Sequence, residues 1–483
     1  MLSQANQRIQ NGENTSIRIK KEEIIQKDGK DIKVVDWTLP YEKNEEEIDN
    51  PFYDKLPQVS LNQVLKFVQE KTGFLDEFTH LKPRYVKTKA DEVSLSATIT
   101  ALATGYSLSH MAGICDIGYT QLLSTFKNFI RLESLKKSNA KLVDAMALLP
   151  MFNRWNLLDN KFVSSVDGKK IVTRLRHWMA RHSRKYLGQK CGVVSYSMIV
   201  NNACLNGLLI SPNDHESYNT FRVVIEATTT VKPDCLTGDT HSINRANFAL
   251  LDLLVCAFIP HIKNIKEQAE KLSSFKDPSF YENDFLKPIK KFDTLLIAEQ
   301  WAPLQHIFAS LLMRRTSHHV IVKKLSSMKK SHKICKALEE YNKILHDTHV
   351  LKYIDDPLLR KAIRTSLNRG EGYHQLEGKI MSVNDNKLRG SKELELLISN
   401  ECIRLVANCI IYYNTYLLSE LYRIHEELGH TEVLELIKRL SPIAWRHINL
   451  NGRYEFLTLV EIFDLNAILT NLIFDNEKDY KKT

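Results

Sequence analysis

From Ser60 onward, apolar side chains fall into the three-and-four spacing of helices buried on one face. Leu61, Val64, Leu65 and Val68 share a stripe, with Ser60 placed to cap its start. The same period predicts helices over about Asp91–Thr104, Ser107–Ile114 and Tyr119–Leu135. Residues 1–55 are different: dense in Lys and Glu, with two short apolar runs, Ile17–Ile19 and Ile32–Val35. They predict two brief strands within a charged loop or linker.

At Lys161 the helical period gives way to β-branched and aromatic runs. Lys161–Val166 reads as a strand ending in an Asp167-Gly168 turn, and Lys170–Leu175 as a second strand. Gly192–Val200 is a third, and Leu205–Ile210 is a fourth or a continuation of the third. A helix over about Glu216–Thr228 follows, then an extended Asp234–Gly238 ending at Asp239. Next comes a helix over about Asn244–Phe258, with Phe248, Leu251, Val255 and Phe258 on one face. Residues 262–350 are helical by pattern, with Ile334, Leu338, Tyr341 and Leu345 on one stripe. A loop at Leu367–Gly370 leads into a helix starting near Glu371, and 391–475 reads as helical.

This order predicts a mainly α protein with an embedded α/β RNase H-like domain on a mixed five-stranded sheet. The expected organisation is a charged segment (1–55), a helical domain (56–160), the RNase H-like domain (161–384) and a C-terminal helical region (385–483). A helical insertion over about 262–350 fills the long gap before the last acid. In such a fold, acids stand on the first strand, just past the fourth, and on a late helix. Asp167, Asp239 and Glu371 occupy those places.

Three converging carboxylates suit phosphodiester chemistry. A hydroxyl must be made nucleophilic and charge on the leaving oxygen neutralised, and two divalent ions about 3.5–4 Å apart do both. Mg²⁺ takes oxygen ligands and keeps several waters, so a few carboxylates suffice. Singly, each acid has a plain structural reading. Asp167-Gly168 is a common turn, Asp239 or Thr240 is a helix cap, and Glu371 suits the dipole of a first helical turn. Their joint order along the topology is what argues for one site.

Charge changes the picture modestly. Lys and Arg number 67 against 57 Asp and Glu, a net +10 that suits a polyanionic partner. The surplus is concentrated after the first acid, in Arg174, Arg176, His177, Arg181, His182, Arg184 and Lys185. Such a run binds a DNA backbone or is a solvated loop, and the pattern allows both. Eight scattered cysteines, none in a C-x-x-C pair, argue against zinc and suit a reducing cytosol. No apolar signal region opens the chain and no apolar run is long enough for a bilayer.

Seven segments, in order, resemble the replicative DDE transposases of the Tn-three family. They are TGFLDEFTHLK (72–82), SSVDG (164–168), KYLGQKCGVVSYSMIVNN (185–202), GDTHSINRANFALLDLL (238–254), LKYIDDPLLRKAIRTSLNRGEGYHQLEGKI (351–380), NTYLL (414–418) and SPIAWRHINLNGRYEF (441–456). The resemblance implies that Asp167, Asp239 and Glu371 are the catalytic, metal-binding acids. It implies Mg²⁺ as cofactor, two ions, with Mn²⁺ as substitute. It implies cleavage at transposon ends, joining of 3′ ends to target double-stranded DNA, and a homodimer on two ends in the bacterial cytoplasm, at the nucleoid. Arg369, beside the third acid, becomes a candidate phosphate contact or a residue that positions the loop. The chain is much shorter than full family members, so the half that recognises terminal repeats is expected elsewhere. The competing readings are a non-catalytic remnant regulating a full-length transposase and a nuclease without transposition. The three acids favour catalysis over the former, and the insertion and C-terminal segments favour transposition over the latter.

Overall fold

A 35-residue helix, Glu393–Glu427, is buried on almost every side from Leu396 to Tyr422, as expected of a helix enclosed by others, with its buried polar side chains hydrogen-bonded or ion-paired. Around it pack the helices Leu61–Thr72, Glu92–Thr104 and Leu132–Ala147 and the strand Ala203–Ile210. The computed structural model describes the chain except residues 28, 29, 44, 86, 88, 245, 328–331, 458–467 and 471–483. It divides into two units. The first comprises 1–44, 216–225 and 234–367; the second comprises 45–215, 226–233 and 368–483.

The second unit holds the long helix and a mixed sheet. Its central strands are Val163–Thr173 and Cys191–Val200, antiparallel, with Ala203–Ile210 on the far side of the latter. Arg181–His182 extends that far edge, and Lys387–Leu388 adds a short parallel strand beside Val172–Thr173. Asn201 and Asn202, at φ 46° and 73°, close the hairpin, so Ala203–Ile210 is a separate strand. Paired left-handed residues make the tight turn whose twist suits antiparallel strands, and Asn tolerates that geometry.

The edge strand Ala203–Ile210 is covered rather than left open. Asn408 of the long helix exchanges two 3.0 Å hydrogen bonds with the Cys204 backbone, and Arg404 donates to Leu205 O at 3.1 Å. Arg404 is in turn ion-paired with Glu401. Ser60 caps the Leu61–Thr72 helix in a reciprocal pair with Gln63, at 3.2 and 2.8 Å.

The first unit has its own core. Phe221, Ala249, Leu250, Leu304, Leu311, Val322 and Leu338 are buried together, contributed by several helices of which Lys333–Asp355 is the longest. Its strand Cys235–Gly238 runs parallel to Ala257–Phe258. Asn342 Oδ1 accepts from the Phe248 and Ala249 amides at 3.0 and 3.3 Å, satisfying the start of the Asn247–Asp252 helix.

Several expected elements differ. Residues 1–55 are more ordered than a linker, with a helix at Leu2–Gln10 and a hairpin of Arg18–Lys27 and Lys30–Thr38. The Tyr119–Leu135 stretch is two helices, Tyr119–Phe129 and Leu132–Ala147. The Asn244–Phe258 helix ends at Asp252, because Val255 turns left-handed at φ 60° and the chain re-enters a strand. Glu216–Thr228 is helical only at Glu216–Tyr218 and Thr220–Ile225. Residues 262–293 are mostly short irregular pieces, and longer helices begin at Thr294. After Arg439 the chain leaves the helical pattern through Leu457, and the expected helix beyond falls partly outside the described residues.

Candidate active site

The Asp167-Gly168 pair is not a turn. One strand runs unbroken through Val163–Thr173, with Asp167 opposite Ser197 and Gly168 opposite Tyr196. A turn preference is local, whereas the partner strand matches it residue for residue from Ser164 to Val172. In an extended strand alternate residues share a face, so Ser165, Asp167 and Lys169 look the same way.

The third acid also sits differently from expectation. Glu371 is in the middle of the helix Pro357–Ser382 rather than at a helix start. Gly370, His374 and Gly378 of that helix lie along the Ser165, Asp167, Lys169 face. A methyl on Gly370 would stand 3.0 Å from Ser165 Oγ, and one on Gly378 would stand 2.9 Å from Lys169 Nζ. His374 Nδ1 is 3.6 Å from Asp167 Oδ2. The match has a geometric basis. Four helical residues advance about 6 Å and two strand residues about 6.6 Å, so the two stripes stay in step. The glycines permit the close approach, and their gap admits one histidine beside one carboxylate.

Asp167 is 42% exposed at its side chain. Partial burial opposes its charge, but His374, the Gly168 amide (2.7 Å to Oδ1) and Lys170 outweigh it and hold its carboxyl below the usual range. Glu371 is exposed, one turn before His374 on the same helix flank.

Behind this pair is a buried polar layer. Glu377 is 2% exposed, and burial pushes its carboxyl up, against the pull of His374, Lys169 and Tyr373. Lys169 donates to the His374 carbonyl, which ties the strand to the helix backbone. Burial lowers the Lys169 ammonium, with Glu377 opposing. A raised carboxyl means the folded state favours the proton more than the unfolded chain does. The resulting destabilisation is absent below the unfolded value of about 4.3 and grows as pH rises through the folded value. Glu377→Gln is therefore expected to gain stability relative to the parent between about pH 4 and pH 7. Urea denaturation at both pH values checks this, and an unchanged difference would refute it.

Asp239 belongs to the first unit. It follows the Cys235–Gly238 strand, is half-buried, and its Oδ1 accepts from the His241 amide at 2.9 Å. Asp239 thus caps the short 3-10 turn Thr240–Ser242 rather than the helix that follows, whose first amides are met by Asn244 Oδ1. His261 is bonded to Gly238 O through its amide at 2.9 Å. Burial and Arg364 lower its imidazole pKa, while Asp239 pulls the other way.

Arg369 is a correction to the expected phosphate contact. It is 3% exposed, and its guanidinium bonds Glu46 (3.1 and 3.0 Å from Nε), Asn201 Oδ1 (2.9 Å) and Trp155 O (2.9 Å). It locks the hairpin turn and is a positioning residue. Arg174, Arg176, Arg181, Arg184 and Lys185 are all exposed.

Sequence reasoning passed over His374, Lys169 and Glu377. The i, i+3 spacing of Glu371 and His374 was the available signal once that stretch was recognised as mid-helix. Among the described residues, no group of three or more His, Cys, Asp or Glu side chains is placed to hold a metal ion by itself. No helix among them is long and apolar enough to cross a membrane.

The site is thus an acid-bearing strand against an acid-bearing helix, with an exposed basic segment following that strand. Residues 63–454 match the family described as the Tn3 transposase DDE domain, and the chain belongs to that family. It is 26% identical over 434 residues to the "Transposase for transposon gamma-delta" of Escherichia coli (strain K12), covering 89% of this chain and 43% of that protein. It is 25% identical to the "Transposase for transposon Tn4556" of Streptomyces fradiae, covering 83% and 45%. It is 24% identical to the "Transposase for transposon Tn1546" of Enterococcus faecium, covering 86% and 42%. The chain spans less than half the length of these relatives.

Proposed function

We propose that this chain is the DNA-cleaving and DNA-joining core of a bacterial transposase. Asp167, Asp239 and Glu371 are its metal-binding catalytic acids, arranged as in an RNase H-like domain over 161–384. Mg²⁺, as two ions with Mn²⁺ as substitute, is the proposed cofactor. The chain works as a homodimer on double-stranded DNA, at the nucleoid of the cytoplasm.

One observation carries this reading: the register of the Asp167 strand against the Glu371 helix, in a chain of a transposase DDE family. It leaves an ionised Asp167 half-exposed and Glu371 exposed. Oxygen donors of this kind suit a hard divalent cation. Mg²⁺ is typically held by one or two carboxylates plus water and substrate phosphates, so a closed protein cage is not required. Bound there, it would activate the attacking hydroxyl and neutralise the leaving oxygen. The chain's own contributions are separate. His374 orients Asp167, Lys169 and the two glycines hold strand to helix, and the basic segment after Thr173 engages the phosphate backbone.

The test is strand transfer with pre-cut transposon ends and Mg²⁺. Joined product is expected; its absence at every divalent ion, with DNA bound, would overturn the catalytic reading. In mobility shifts, binding should be weak, steeply salt-dependent and indifferent to terminal-repeat sequence. Tight repeat-specific binding would refute that part.

A further inference from the structure

The segment between the two central strands of the second unit, residues 174–190, carries Arg174, Arg176, Arg181, Arg184, Lys185 and Lys190 and not one Asp or Glu. It begins one residue past the strand that bears Asp167, roughly 20 Å along from that acid at strand rise. Within it stands Trp178, 79% exposed, whereas Trp37 and Trp155 are buried and Trp301 and Trp445 half-buried. An indole left in water forfeits the burial that stabilises the other tryptophans.

The segment is pinned in place. Arg181–His182 pairs with Cys191–Gly192, Asn213 Nδ2 donates to His182 O at 3.0 Å, and His177 Nε2 is 3.4 Å from Gly390 O. The His177 amide bonds Ala180 O at 3.3 Å, closing a tight turn around Trp178. Arg181 Nε donates to Trp178 O at 2.7 Å, and its guanidinium lies 4.9 Å from the indole centroid. Thus the indole has a cation at one face and most of its surface in water. Tyr186, 44% exposed, is similarly flanked by Lys170 and Lys185 at 5.1 and 4.7 Å.

We propose that Trp178 is a nucleobase-stacking contact, which captures an unpaired base of DNA whose backbone is held by the surrounding arginines and lysines. The proposal rests on the DNA-joining reading above and names a further contact for it. Charge selects the partner: a segment with six Lys and Arg and no Asp or Glu of its own attracts a polyanion. Stacking selects the DNA state. In intact duplex each base face is covered by its neighbours, so an indole finds a free face only where bases are unpaired, as at a frayed end or a 3′ extension. Aromatic stacking of this kind tolerates any base, so the contact adds affinity without sequence preference.

The experiment uses the full chain and three probes of equal length: intact duplex, duplex with an unpaired 3′ extension, and single strand. Trp178→Ala is expected to weaken binding about tenfold on the two DNAs with unpaired bases. The loss on intact duplex should be under about twofold, with an unchanged salt slope. Trp178→Phe should retain most of the parent's affinity. Arg174→Glu with Arg176→Glu should weaken all three alike and flatten the salt slope. Equal losses on all three DNAs for Trp178→Ala, or none, would overturn stacking, while losses in the arginine variant would keep the DNA reading. A parent chain that binds none of the probes would overturn both. A Trp178→Ala effect confined to oligomeric state, read by sedimentation, would overturn stacking in favour of contact between chains.

Discussion

Asp167→Asn is expected to cut Mg²⁺-dependent strand transfer about a thousandfold or more, the scale seen when a group that stabilises transition-state charge is lost. Asp239→Asn and Glu371→Gln should each do the same. Amides are the informative replacements because two of these acids also have structural bonds. Asp167 Oδ1 accepts the Gly168 amide at 2.7 Å, and Asp239 Oδ1 accepts the His241 amide at 2.9 Å. Asn keeps an acceptor at each position and removes the charge. Thermal unfolding should therefore stay close to the parent's while product formation collapses. Ala at each position should also abolish activity, with a further stability cost at Asp239 typical of a lost cap, about 1 kcal/mol. Activity surviving in all three variants would sink the assignment of the acids.

The second large effect is on stability. Arg369→Met should cost about 3–5 kcal/mol, because it removes a buried guanidinium that is ion-paired with Glu46 and hydrogen-bonded to Asn201 and the Trp155 carbonyl. The pair's side chains are 2% and 14% exposed, and the same guanidinium serves Asn201 and the Trp155 carbonyl. Arg369→Lys should recover only part of the loss, since an ammonium cannot reproduce the planar fork that reaches three partners. Urea denaturation measures both. A cost under about 1 kcal/mol for the Met variant would show that the pair does not hold the hairpin turn.

Local chemistry was legible from the residues alone. Ser60 caps its helix, as the pattern predicts, because a capping box needs only residues three apart. The exposed cations from Arg174 to Lys185 are equally plain, since a charge run has nowhere else to go but the surface. The helix boundary near Glu371 was misread for an equally local cause. Gly370 and Gly372 resemble a loop, yet the helix continues through them to Ser382. Gly costs a helix about 1 kcal/mol against Ala. Packing against the Ser165–Lys169 strand face, which Gly370 and Gly378 approach closely, offsets that cost.

The sequence by itself determined the order of the three proposed acids along the chain, the basic segment and the family those motifs mark. These depend on residue identity and spacing, which survive without coordinates. Only the tertiary structure decided that Asp167-Gly168 lies within a strand, that Arg369 is an internal clamp, and that His374 stands beside Asp167 with Glu377 and Lys169 behind it. The physical reason is the step match of about 6 Å between a helix taken every fourth residue and a strand taken every second. That coincidence joins residues some two hundred positions apart, and no window along the chain contains it.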